Sequence, residues 1–117
     1  GTPYLPSVRN GILFLEDVGE RPYRIDRMLQ HLRLAGTFRG IRGVLLGNFA
    51  DCVPEKGKPS LSLRRIFSDA FGDLGAPVVS GVRHGHLAGS LTLPVGLRVS
   101  VDVGKECRIV FPGAAVS

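Results

Sequence analysis

Tryptophan is absent from the 117-residue sequence and aromatic residues make up only 7% of it, which leaves little from which to build a base-stacking platform. The sequence also lacks an apolar stretch near the roughly 18 residues that a membrane-spanning helix requires. The net charge is +5, but no run of basic residues exceeds the pair Arg64–Arg65. Because binding of a phosphate backbone takes several clustered cations, we expect neither nucleic acid nor a membrane as a partner.

Cysteine is scarce as well, with only Cys52 and Cys107, far apart in the sequence. In a chain large enough to build a core, two cysteines do not make a disulfide scaffold, and we expect free thiols in a reducing compartment. His84 and His86 have the spacing for two Zn²⁺ ligands, but the sequence has no HExxH or CxxC pattern and no third strong ligand nearby. We therefore expect no metal and no cofactor.

The composition that remains is that of one folded domain, with 44% hydrophobic and 21% charged residues. Short apolar segments alternate with segments of helical periodicity. The predicted helices run from Pro22 to the stop at Gly36, with an apolar stripe of Ile25, Met28, Leu29 and Leu32, and from an N-cap at Ser60 to Gly72. The predicted strands are 12–15, 44–46, 77–79, 97–103 and 106–111, with loops at 47–52, 54–59 and 83–94 and a two-residue turn at 104–105.

This order of elements predicts a mixed α/β domain. Short parallel strands are joined by crossover helices, and an antiparallel hairpin with a glycine-first turn at Gly104 follows them. In such sheets the polar residues just past the carboxyl ends of the strands are the first candidates for a site.

Two clusters of titratable residues occupy such positions. Glu16, Asp17 and Glu20 follow the first strand, and His84 and His86 lie in the loop after the third. A carboxylate beside an imidazole suits acid–base catalysis with a nucleophile. Alternation along the strand sends adjacent side chains to opposite faces, so at most one of Glu16 and Asp17 can face a histidine. The sequence has no GxSxG elbow, phosphate-binding GxxxxGK[ST] loop or GxGxxG motif.

The stretch from Ile12 to Leu29, ILFLEDVGERPYRIDRML, resembles the LD-carboxypeptidase family of serine peptidases. The segments 43–52 (GVLLGNFADC), 85–86 (GH) and 93–96 (LPVG) resemble the family in the same order, over roughly residues 1–103. The resemblance implies that residues 1–117 are the C-terminal domain, of a swivelling β/β/α type, of a two-domain enzyme whose N-terminal domain supplies the serine. We therefore expect the N-terminal domain to be absent from this chain, which would explain both the start at Gly1 without a methionine and the missing serine motif.

The resemblance further implies cleavage of the L,D bond before the terminal D-alanine of murein tetrapeptides, in the cytoplasm, without a metal and often by a homodimer. It makes Glu16 the acid and His86 the base of a Ser-Glu-His triad. We therefore expect Glu16 to pair with His86, and His84 to be more exposed and without a carboxylate. The alternative is a non-catalytic domain whose arginines recognise anionic cell-wall fragments.

Overall fold

The computed structural model describes residues 2–5 and 7–113. Its elements are, in chain order, β1 (Ile12–Val18), α1 (Pro22–Leu34), β2 (Gly43–Ala50), α2 (Leu63–Phe71), β3 (Val78–Ser80), β4 (Ser100–Val103) and β5 (Cys107–Val110). The first three strands form a parallel sheet in the order β1-β2-β3, and β4 and β5 form an antiparallel hairpin. The predicted α/β class is confirmed.

The two helices cover one face of the parallel sheet and enclose the main core. Strand alternation sends Val44 and Leu46 of β2 to this face, where they pack with buried side chains of both helices and of the connecting segments. The cluster is completed by the buried residues Ile25, Leu29, Phe38, Ile41, Cys52, Ile66, Ala70 and Phe71. All of these residues precede residue 72, so the helix layer holds the most deeply buried part of the domain.

The opposite face of the sheet is turned toward the hairpin. Leu45, buried on this face, lines a cavity of about 190 Å³ together with Ile12, Val79 and Val101, the last of which belongs to β4. The domain therefore has three layers, hairpin, parallel sheet and helices, as the β/β/α prediction requires. Glu16 lies on the same side of β1 as Ile12, which places it on the hairpin side of the sheet.

Two strands are longer than predicted. β1 continues to Val18 and β2 to Ala50, so the acidic residues at 16 and 17 lie within a strand and the predicted loop at 47–52 is mostly strand. The prediction was wrong because it ended each strand where its apolar run ends. Backbone pairing continues beyond that point, with Asp17 beside Phe49.

Other predicted boundaries also differ. The N-cap of α2 is Ser62, not Ser60, because the hydroxyl of Ser62 accepts a hydrogen bond from the backbone N–H of Arg65 at 3.2 Å. Met28 is exposed, since the inward stripe of α1 is filled by its neighbours. The hairpin strands are shorter than predicted, and residues 104–106 connect them without a positive φ at Gly104, so the predicted two-residue glycine turn was wrong.

The two cysteines lie in different layers. Cys52 is buried in the helix-side core and Cys107 is exposed on β5, and both are free thiols, as predicted. Burial raises the pKa of the Cys52 thiol, because the thiolate would lose its hydration there.

Candidate active site

The sheet is irregular beside Glu16. Two residues of β2, Gly47 and Asn48, face this single residue of β1, which is the geometry of a β-bulge. A side chain at position 47 would have no room, because a Cβ there would lie 2.6 Å from the carbonyl oxygen of His84 and from the ring of Phe14. The bulge thus brings β2, β1 and the histidine loop into close approach around the Glu16 carboxylate.

The loop that carries His86 lies along β2. The backbone N–H of Val82 donates to Leu46 O at 3.1 Å, and the N–H of Asn48 donates to His84 O at 2.9 Å. Gly85 has φ +119°, and a Cβ at that position would lie 2.8 Å from the Oε2 atom of Glu16. Glycine is therefore needed there both for the backbone conformation and for the close approach to the carboxylate.

Glu16 and His86 form a direct pair. The Nδ1 atom of His86 lies 2.9 Å from the Oε2 atom of Glu16, within the range of a strong hydrogen bond. The Glu16 side chain is 27% exposed and the His86 side chain 59% exposed. When Nδ1 donates its hydrogen to the carboxylate, the lone pair of the neutral ring lies on Nε2, so the second nitrogen can accept a proton.

The other two acidic candidates have different partners. The Oδ1 atom of Asp17 accepts a hydrogen bond from the backbone N–H of Val18 at 2.7 Å, and the Glu20 carboxylate lies 3.6 Å from a guanidinium nitrogen of Arg24. Of the three acidic side chains that follow the first apolar run, only Glu16 contacts a histidine. The expectation that adjacent acidic residues would face opposite ways agrees with these contacts.

His84 has a different environment from His86. Its Nδ1 atom lies 2.5 Å from Leu91 O, and its ring meets the edge of Phe14 at a centroid distance of 5.0 Å. Among the described residues no carboxylate pairs with it, as expected. The expectation that His84 would be the more exposed histidine was wrong, because the Phe14 ring and the 84–91 loop cover it.

An open apolar groove of about 480 Å³ lies on the hairpin side of the sheet. Phe14 and His84 line one part of it, and the segment from Leu93 to Leu97 lines another. Within this segment Val95 is 96% exposed. The groove therefore reaches Phe14 and His84, each two residues along the chain from a member of the pair.

Two further properties of the described part of the chain bear on the kind of site. Among the described residues, 2–5 and 7–113, no group of three or more His, Cys, Asp or Glu side chains is arranged to hold a metal ion. Neither helix within those ranges has the length and apolarity needed to cross a membrane.

The family model of the LD-carboxypeptidase C-terminal domain matches residues 1–101. The chain belongs to this family. It is 34% identical over 115 residues to the "Probable murein peptide carboxypeptidase" of Bacillus subtilis, and these residues cover 98% of the chain and 36% of that protein. It is 38% identical over 104 residues to the murein tetrapeptide carboxypeptidase of Pseudomonas aeruginosa, and the aligned residues cover 89% of the chain and 33% of that protein.

A solved structure agrees with this membership. The chain aligns with the muramoyltetrapeptide carboxypeptidase from Oxalobacter formigenes with a TM-score of 0.77 and 34% identity, over 93% of the chain and 38% of that structure. The chain thus spans about a third of the length of the curated relatives that it matches. The predicted family and its β/β/α fold are confirmed by these matches.

Sequence reasoning missed the part that β2 plays in the site. It assigned Gly47 and Asn48 to a loop, whereas both residues contact the histidine segment from within the strand. The available signal was the Gly-Asn pair itself, because a glycine inside a strand often marks a bulge or a close backbone approach.

Proposed function

We propose that this chain is the C-terminal half of a serine-type LD-carboxypeptidase. Such an enzyme cleaves the L,D peptide bond before the terminal D-alanine of a murein tetrapeptide. Glu16 and His86 are the acid and base of its Ser-Glu-His triad, and the serine comes from an N-terminal domain of the same protein. The observation that carries the proposal is the 2.9 Å contact between His86 Nδ1 and Glu16 Oε2.

In this mechanism His86 moves protons through Nε2. It accepts the hydroxyl proton of the serine as the oxygen attacks the scissile carbonyl, and it returns the proton to the amine of the departing D-alanine. Glu16 accepts the Nδ1 hydrogen bond, which fixes the tautomer and orients the ring, and it stabilises the imidazolium that forms in between. Neither step requires a metal ion.

The serine domain would cover the apolar groove. The chain spans only about a third of the length of its relatives, which leaves room for another domain in the protein. The groove is lined by Phe14 and His84, each two residues from a member of the Glu16–His86 pair. Its lining combines apolar side chains such as Phe14 and Leu93 with the His84 imidazole, the mixed kind of surface that interfaces between domains use. Exposed Val95 and Leu97 would then be buried in the assembled enzyme. A cytoplasmic location and a homodimer stay predictions.

The alternative, a non-catalytic domain that binds anionic fragments through its arginines, has less support. Several arginines already have partners: the guanidinium of Arg33 pairs with Asp73, that of Arg65 with Asp69, and that of Arg21 donates to Val53 O. An anion-binding face needs clustered cations with free donors. The Glu16–His86 contact also has no purpose in such a domain, whereas it is required in the triad.

Release of D-alanine from murein tetrapeptide tests the proposal. The complete protein should release it, the Glu16→Gln variant should lose on the order of 10²-fold or more in kcat, and the pure 117-residue chain should be inactive because the nucleophile is missing. A serine-directed inhibitor should abolish the activity. Turnover by the 117-residue chain alone, or full activity in Glu16→Gln, would refute the triad assignment.

A further inference from the structure

Asn48 contacts the base-bearing loop through both its backbone and its side chain. Its backbone N–H donates to His84 O at 2.9 Å, and its side-chain Nδ2 donates to His86 O at 3.3 Å. A Cβ added to Gly85 would lie 3.4 Å from the Asn48 Cβ, so the two residues are in close contact. Asn48 thus hydrogen-bonds to the residues on both sides of Gly85 and lies beside Gly85 itself.

The position of Asn48 in the sheet places it between Glu16 and the loop that carries His86. Asn48 belongs to the bulge that faces Glu16, so the same residue borders the acid on one side and the histidine loop on the other. The other contacts of the loop with the sheet are the Val82 N–H to Leu46 O hydrogen bond at 3.1 Å, the packing of the His84 ring on Phe14 and the Glu16–His86 pair. The hydrogen bonds from Leu91 N to Arg83 O at 2.7 Å and from Gly85 N to Ser90 Oγ at 3.3 Å lie within the loop.

We infer that Asn48 is a positioning residue, which fixes the His86 backbone against β2 and thereby keeps Nδ1 of His86 within hydrogen-bond distance of Glu16. The inference deepens the proposed function and rests on it for its kinetic consequence. Asn48 takes no part in proton transfer. Its side-chain amide donates to the backbone carbonyl of His86, and the position of this backbone sets the position of the imidazole ring. A displacement of a reacting group by about 1 Å can lower the rate on the order of 10²-fold.

The kinetic test uses Asn48→Ala and Asn48→Asp in the complete protein. Alanine removes the side-chain amide, and aspartate keeps its size but, when ionised, cannot donate to His86 O. We expect kcat to fall on the order of 10- to 100-fold in both variants with KM changed less than about twofold, because the loss concerns the reacting geometry and not substrate binding. Gln30→Ala, which removes an amide from α1, is the control and should keep full activity.

The spectroscopic test does not depend on activity. In the 117-residue chain, ring ¹⁵N shifts should show His86 mainly with its hydrogen on Nδ1, held there by Glu16. In Asn48→Ala the population with hydrogen on Nε2 should rise, while circular dichroism stays that of the folded domain. A variant that merely loosened the fold would instead change the circular dichroism, and Gln30→Ala should leave the His86 tautomer unchanged.

The outcomes separate this inference from the proposed function. If Glu16→Gln and His86→Ala abolish turnover but Asn48→Ala keeps its kcat and its tautomer, the positioning role is wrong and the triad stands. A rise in KM at constant kcat would make Asn48 a substrate-binding residue and would also refute the role. If Glu16→Gln and His86→Ala stay active while the tautomer shifts in Asn48→Ala, the triad is wrong and the positioning of His86 is upheld.

Discussion

The domain has a densely packed half and a thinly packed half, and the two members of the Glu16–His86 pair come from different halves. Glu16 lies on a strand of the parallel sheet, whose other face carries the main core. His86 lies in a loop of the segment after residue 72, where Val82 is the only hydrophobic residue among those described that is buried. Glu16 is therefore held by the packed sheet, and His86 depends on a few specific contacts.

This difference explains why glycines and backbone hydrogen bonds surround His86. A loop without a core of its own cannot fix a side chain by burial, so it is held through its peptide groups on β2 and through close approach at Gly47 and Gly85. The comparison predicts that substitutions in the helix-side core act mainly on stability, and that substitutions at the contacts between the 83–94 loop and the sheet act mainly on catalysis.

The largest expected effect is on kcat, and it distinguishes His84 from His86 in the loop after β3. In the complete protein His86→Ala should lower kcat on the order of 10³-fold, because it removes the group that moves the proton. His84→Ala should keep most of the activity, since the His84 ring contacts Phe14 and Leu91 O and no carboxylate. Steady-state release of D-alanine measures both variants. An inactive His84→Ala beside an active His86→Ala would reverse the assignment.

The second prediction compares the stability of the two halves directly. Phe71 is 2% exposed and packs against the Phe38 ring at a centroid distance of 5.3 Å, so Phe71→Ala should cost about 3–5 kcal/mol of unfolding free energy. Ile109 of the hairpin is only partly buried, and Ile109→Ala should cost about 1 kcal/mol. Urea unfolding followed by circular dichroism measures both. Equal losses would show that the hairpin is as tightly packed as the helix side.

The third prediction concerns Gly85, where the two halves meet. Gly85→Ala forces a Cβ to 2.8 Å from Oε2 of Glu16 at a φ of +119°, so the pair should separate and kcat should fall on the order of 10²-fold. Gly104→Ala in the hairpin connection is the matched control, because its nearest atom would lie 3.9 Å away and its φ is not positive. Activity in Gly85→Ala equal to that of the control would mean that the close approach is not needed.

The sequence predicted the packed half better than the base loop. Periodic apolar residues such as Ile25 and Leu29 identify the helices, because burial of one face is a local and repeated signal. The ends of β1 and β2 were missed, since polar residues occupy them and only backbone pairing between distant segments keeps them in the sheet. The Glu16–His86 pairing was predicted through the family resemblance. The contacts of Asn48 depend on the bulge register, which pairing between distant segments sets and at which the Gly47–Asn48 pair only hints.

The smallest expected effect belongs to an exposed ion pair that joins α1 to the residues after α2. The Arg33 guanidinium donates to Asp73 at 2.8 Å and also to Ala70 O at 2.9 Å, and the hydrogen bond from Arg33 lowers the pKa of the Asp73 carboxyl. A carboxyl whose pKa is lower in the folded state stabilises the fold above its unfolded pKa, about 3.9, and loses that contribution as the pH falls through the folded value.

Asp73→Asn should therefore be slightly less stable than the parent at pH 7 and equal to it near pH 2. The side chains are 33% and 64% exposed, so about 1 M salt should shrink the difference at pH 7. Urea unfolding at both pH values measures it, and the D-alanine release of the complete protein should not change. A difference that persists at the lower pH would mean that Asp73 contributes through packing and not through its charge.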